Sequence, residues 1–124
     1  MNWDLTTTLA LVAAGGAIGA TLRFSAGQLI DSSQFPWSTF AVNIIGSFMI
    51  SLIFFSYGHL MSETVRYFLF VGIFGAFTTM ATFSLETTTM FFDGKELDAL
   101  MNFMMNPVLC VFGAVAARYI ALAM

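Results

Sequence analysis

Between residues 72 and 86 the chain reads GIFGAFTTMATFSLE, a glycine- and threonine-rich passage inside an otherwise lipid-soluble stretch. Gly72, Gly75, Thr78, Thr79, Thr82 and Ser84 offer main-chain groups and hydroxyls there, with Phe74, Phe77 and Phe83 among them. Hydrocarbon supplies no water to replace a lost backbone hydrogen bond, so irregular backbone at membrane depth survives only inside protein or along a water-filled cavity. The residue types therefore suggest groups aimed at an ion or an aqueous path. The aromatic rings add positive edges that can meet an anion.

Other polar residues are few. Asn43, with Gly46 and Ser47 behind it, is the strongest polar residue of the second apolar stretch. An asparagine in hydrocarbon is costly unless bonded. Two roles fit: an interhelical hydrogen bond worth about 0.6–2 kcal/mol, or an amide N–H donor facing a pore. Asn102, Asn106 and Cys110 recur four apart and share one helical stripe. That stripe is either bundle packing or the polar wall of a permeation path. Cys110 has no second cysteine to pair with and packs as a small hydrophobe. Glu86 reads as an interfacial carboxylate or the partner of a donor.

Met101, Met104 and Met105 cluster, and thioether sulfur suits Cu(I). No His or paired Cys accompanies them, so they read as lipid-facing or gap-filling side chains. No nucleophile–base pair or metal-ligand spacing occurs, and His59 stands alone near a helix end, so an enzyme is not expected.

These residues need helices to carry them. The chain has 124 residues, 59% hydrophobic and only 9% charged, with a mean hydropathy of +0.88. A soluble domain would require far more surface charge. Spans of about 20 residues cross a bilayer, and four fit: Leu5–Leu29, Ser38–Leu60, Arg66–Phe92 and Leu97–Leu122. Residues 1–124 thus read as a single four-helix transmembrane domain without a soluble catalytic module. Residues 1–8, MNWDLTTT, lack the basic start of a signal peptide. Four scattered basic residues do not suit nucleic acid.

The run AAGGAIGAT (Ala13–Thr21) places Gly15 and Gly19 one turn apart for close helix packing. Arg23, near the end of that span, either snorkels to the headgroups or lines a vestibule. Pro36 and Trp37 suit the entry and interface of the second span. Ser62 suits a helix cap, Pro107 a bend in the fourth span, and DGKELD (Asp93–Asp98) a solvated turn. Positive residues mark cytoplasmic loops, yet Arg66 and Arg118 on one side balance Arg23 and Lys95 on the other. No orientation is favoured, which suits insertion in both directions and pairing of opposite copies.

The segments GGAIGATLRF (Gly15–Phe24), PWSTFAVNIIGSF (Pro36–Phe48) and GIFGAFTTMATFSLE (Gly72–Glu86) together resemble the Fluc (CrcB) family of small bacterial fluoride channels. Span four matches loosely. The resemblance implies an antiparallel, dual-topology homodimer of four-helix subunits in the plasma (inner) membrane, with the third helix broken mid-membrane. It implies two pores and passive export of fluoride that entered as HF. It further implies a structural sodium ion held at the dimer centre by the backbone carbonyls of Gly75 and Thr78. The family asparagine falls on Asn43 and the second of its pore phenylalanines on Phe83.

Two positions depart from the family's TTFSTFS. This chain reads TTMATFS, with Met80 in place of the first phenylalanine and Ala81 in place of a serine. The expected pore residues are Asn43, Met80, Thr82, Phe83, Ser84 and Asn106, with Arg23 in the vestibule. Asn43, Thr82, Ser84 and Asn106 could donate hydrogen bonds to fluoride. Three rivals remain. A small multidrug transporter needs an acid inside the first span, where only Asp4 at its very start is found. An assembly subunit or holin-like protein would leave the glycine–threonine passage unexplained. The chain could also be one subunit of a heteromeric channel whose partner supplies the missing phenylalanine.

Overall fold

The computed structural model describes residues 3–124. Four helical spans, Asp4–Leu29, Trp37–Leu60, Glu63–Phe92 and Glu96–Ala123, are each long and apolar enough to cross a membrane. The chain is an all-helical, multi-pass membrane protein. Expected and observed boundaries agree closely. The largest difference is the start of the third span, where the Ser62 hydroxyl accepts from the Val65 N–H and begins the helix at Glu63 rather than Arg66.

Helix α1 covers Trp3–Leu29, and α2 covers Trp37–Tyr57, followed by a 3-10 turn at Gly58–Leu60. In the loop before α2, the Ser38 N–H donates to Ser32 Oγ at 2.9 Å. The Ser33 N–H donates to the Asp31 carboxylate and holds that carboxyl below its ordinary range. The rings of Phe35, Trp37 and Phe40 meet tilted or edge to face, with centroids 4.6–6.0 Å apart, an aromatic cluster at the start of the span. At the other end of α2, the guanidinium groups of Arg66 and Arg118 lie over the rings of Phe54 and Phe55 at 5.3 and 5.2 Å.

The third span is composite. It runs as α3 (Glu63–Arg66), a π-helical segment (Tyr67–Phe74), α4 (Gly75–Phe77) and, after an interruption, α5 (Met80–Phe92). Gly94, with φ of +86°, turns the chain from α5 into α6 (Glu96–Ala123). The Lys95 N–H then reaches back to Met90 O at 2.9 Å, so glycine serves as the left-handed residue of a helix stop. Helix α6 continues through Pro107.

The π-helical segment is a feature that the apolar run YFLFVGIF does not announce. Wide turns of this kind recur near functional sites. Here the segment packs chiefly on α1, and the two backbones meet at glycine. A Cβ on Gly15 would stand 2.5 Å from Phe68 O and 3.1 Å from Gly72 Cα. Gly15, Gly19 and Gly72 are all buried. Gly15 and Gly19 thus form the packing face expected of them. Gly72 is corrected: it serves this contact, not the ion path that its place in the glycine–threonine passage suggested.

The remaining helices divide along the same line. Helix α2 packs mainly on α6, and so does α5. The third span therefore leans on α1 before its interruption and on α6 after it. Met101, Met104 and Met105 all point outward, as expected for side chains facing lipid.

The glycine contact predicts an asymmetry between neighbours. Gly15→Ala must push the π-helical segment away and should destabilise the protein by about 1–3 kcal/mol. Gly16→Ala, whose added Cβ meets nothing within 4 Å, should leave it unchanged. Thermal unfolding in detergent, comparing both variants with the parent, reads the difference.

Candidate functional site

The site forms where the third span stops being helical. Thr78 (φ −89°, ψ 158°) and Thr79 (φ −150°, ψ 119°) are extended. A helix end leaves carbonyls unpaired on one side, and a helix start leaves N–H groups unpaired on the other. The chain meets this demand with its own groups. On the α4 side, Phe74 O accepts from the N–H and the hydroxyl of Thr78 at 3.1 and 3.0 Å. Arg23 Nε donates to Ala76 O at 3.0 Å. A guanidinium at this end also faces the negative pole of the preceding helix. The side chain of Arg23 is half-buried and held by this bond, and it does not line the cavity described below. On the α5 side, Thr79 is the N-cap: its hydroxyl accepts from the Thr82 N–H at 3.1 Å.

Asn43 closes the interruption from α2. The Thr79 N–H donates to Asn43 Oδ1 at 2.8 Å, and Asn43 Nδ2 donates to Thr79 O at 3.2 Å. One carboxamide thus pairs with both backbone groups of one extended residue, as a neighbouring strand would. In an uninterrupted helix that N–H would bond Gly75 O. Asn43 Nδ2 also donates to Asn106 Oδ1 at 3.4 Å. Of the two roles open to Asn43, the structure shows interhelical bonding, with both kinds of amide group engaged.

Asn106 and Asn102 carry the polar contacts on along α6. Asn106 Nδ2 donates to Asn102 Oδ1 at 3.3 Å, and Asn102 Nδ2 donates to Thr87 Oγ1 at 2.9 Å. The Thr87 hydroxyl donates to Phe83 O at 2.7 Å. The Cys110 thiol donates to Asn106 Oδ1 at 3.6 Å, a weak polar bond beside its apolar packing. Asn102 is 0% exposed and Asn106 2%, which is tolerable only because each is bonded.

A cavity of about 260 Å³ opens beside the interruption. Asn43, Met80, Phe83 and Asn106, four of the expected pore residues, all line it, together with Thr78, Thr79, Ser47 and Cys110. No carboxylate or cation is on its wall. Phe83 is buried, whereas Met80 is 68% exposed, so this wall is open within a single chain. Thr82 and Ser84 do not line the cavity. Thr82 is half-buried one turn along, and Ser84 is exposed with its hydroxyl donated to Met80 O at 2.9 Å. A groove of about 390 Å³ shares Ser47, Cys110 and Val111 with the cavity and runs between α2 and α6 to Arg118.

Glu86, on the next turn of α5, is half-buried, and its Oε1 has no hydrogen-bond partner among the described residues. No group of three His, Cys, Asp or Glu side chains that could hold a metal occurs among the described residues. Residue-by-residue reading missed Thr79 as the hinge of the site and Thr87 as the terminus of the asparagine chain. Threonine is a favoured N-cap residue type, a weak signal that could have pointed to the first. No sequence signal marks the second.

The protein-family model described as CrcB-like protein, Camphor Resistance (CrcB), matches residues 10–118. A protein of Aeromonas salmonicida named fluoride-specific ion channel FluC is 40% identical over 109 residues, covering 84% of this chain and 87% of the relative. One of the same name from Idiomarina loihiensis is 43% identical over 110 residues, covering 86% and 85%. Fluoride-specific ion channel FluC 3 of Methanosarcina barkeri is 43% identical over 117 residues, covering 91% and 86%. The chain belongs to the CrcB family.

Removing the carboxamide at position 43 should leave the N–H and carbonyl of Thr79 without partners. Asn43→Ala is therefore expected to destabilise the protein by about 1–3 kcal/mol per orphaned group. Hydrogen exchange of the Thr79 amide should accelerate in the same variant; an unchanged rate would show that the clip does not hold.

Proposed function

We propose that this CrcB-family chain is a passive, fluoride-selective channel that exports fluoride from the cytoplasm across the bacterial plasma (inner) membrane. The fluoride-specific channels among its relatives supply the ion. The observation that carries the reading is the start of α5: a helix N-terminus, capped by Thr79, opens on a cavity whose wall holds no carboxylate. A helix N-terminus presents N–H groups and the positive end of the dipole, which favour an anion.

Fluoride is small and strongly hydrated, so a pore must replace the water it removes. Asn106 contributes an amide whose oxygen is already engaged and whose nitrogen has one hydrogen beyond its bond to Asn102. Phe83 offers the positive edge of its ring. Met80 contributes the weakly positive C–H groups beside its sulfur. Asn43 acts by holding Thr79 in place. Thr82 adds a donor further along α5, outside the cavity of the single chain, Ser84 joins it once its hydroxyl turns from Met80 O to the ion, and Arg23 holds the vestibule end of the preceding half-helix.

The exposed flank at Met80 supports an antiparallel, dual-topology homodimer with two pores, in which the opposite copy closes each wall. A structural sodium ion would sit between the copies. The donor set fits: diversion of the Thr79 N–H to Asn43 frees Gly75 O from its helical donor, and extended Thr78 turns its carbonyl off the helix axis. Such oxygens are hard ligands suited to an alkali cation, and a fixed cation raises the potential for anions nearby. On this reading the interruption lies at mid-membrane and the sodium stays in place.

Vesicles containing only this polypeptide should release fluoride and retain chloride; release of neither ion, or of both equally, would overturn the reading. An aromatic edge contact is worth about 0.5–1.5 kcal/mol, so Met80→Phe should speed fluoride efflux by about two- to tenfold. Equal or slower efflux in that variant would remove Met80 from the pore. Radiotracer sodium should not follow fluoride across the membrane.

A further inference from the structure

We propose that Thr87 and Asn102, neither of which lines the cavity at the interruption, are positioning residues that fix which end of the Asn106 amide the passing anion meets. The proposal rests on the channel reading above and deepens it.

The hydrogen bonds described at the site form one directed series. The Thr79 N–H donates to Asn43, Asn43 to Asn106, Asn106 to Asn102, Asn102 to Thr87, and Thr87 to Phe83 O. Its two ends are backbone groups of fixed character. The N–H of Thr79 can only donate, and the carbonyl of Phe83 can only accept. A carboxamide has a donor end and an acceptor end, so each member between those ends is oriented by its neighbour. Asn43 must turn Oδ1 to Thr79. Asn106 must then turn Oδ1 to Asn43 and Nδ2 to Asn102. Asn102 must turn Nδ2 to Thr87, whose hydroxyl accepts that bond and donates its own to Phe83 O. Reversing one amide would set donor against donor on one side and acceptor against acceptor on the other. Asn102 is 0% exposed and does not line the cavity, so no water would repair the fault there.

The result is a cavity wall with the sign an anion needs. Asn106 Oδ1, the group that would repel fluoride, is occupied by Asn43 and by the Cys110 thiol. The unspent hydrogen of Asn106 is on Nδ2. The series starts at Thr79 and ends at Phe83, both of which line the cavity, so the same bonds tie the interruption to the pore phenylalanine.

The test is fluoride efflux from vesicles, with chloride release measured in parallel, for the parent, Thr87→Val and Thr87→Ser. Valine keeps the shape but leaves Asn102 Nδ2 without its acceptor. Efflux should fall by about tenfold, the effect of one orphaned buried donor on the conducting arrangement. Serine keeps the hydroxyl and should restore efflux to within about twofold of the parent. Asn102→Ala combined with Thr87→Val should be no slower than the slower single variant, because both break one series. Should Thr87→Val not purify as monodisperse protein, the hydroxyl-free Thr87→Ala is read against Thr87→Ser in the same way. Parental efflux in the hydroxyl-free variant, or equal loss in Thr87→Ser, would overturn the proposal. A parent that passes no fluoride would instead overturn the channel reading.

Discussion

A backbone that leaves its helix strands N–H and carbonyl groups that other parts of the protein must satisfy. This constraint organises the structure around Thr78 and Thr79. Two residues of neighbouring helices and one at the interruption itself meet it. Asn43 of α2 pairs with both backbone groups of Thr79, Arg23 of α1 takes the Ala76 carbonyl, and Thr79 itself caps α5. An asparagine and an arginine are expensive in a membrane span. Here that cost is offset because each one satisfies groups that would otherwise be stranded.

The interruption also lets one span serve two surfaces. Before it, wide helical turns lie against α1 at Gly15, Gly19 and Gly72, so closely that backbone meets backbone. After it, α5 turns to α6, where Asn102 bonds to Thr87 and is itself held by Asn106. A straight helix would present one continuous stripe and could not satisfy both neighbours. Close packing on α1 fixes the first half, the asparagine chain fixes the second, and the two threonines between them absorb the change of direction.

The polarity of the site follows from the same arrangement. Ending one helix and starting another brings a negative pole and a positive pole within two residues of each other. Arg23 answers the first. The second faces a cavity lined by the amides of Asn43 and Asn106, by serine and threonine and by apolar side chains including Phe83, with no charged group. Bound oxygen atoms and available N–H groups together suit an anion, and the open flank at Met80 gives a second copy of the chain its place in the proposed dimer.

Composition and periodicity alone determined four membrane helices, their limits to within a few residues, the packing role of Gly15 and Gly19, and the location of the helix interruption in the glycine–threonine passage. Local signals sufficed because hydrophobic length, caps and turn residues act over a few neighbouring positions. The polar stripe of Asn102, Asn106 and Cys110 was legible as a stripe, but its meaning was open, since spacing on one helix does not name the partner across the bundle. Only the tertiary structure decided that Asn43 grips Thr79, that Arg23 turns inward to Ala76, that Gly72 belongs to helix packing, and that Thr87 terminates the asparagine chain. Each of these pairings, Gly72 with Gly15 and Thr87 with Asn102 included, joins two different helical segments, and a hydrogen bond or a backbone contact of that kind is fixed by how the helices cross.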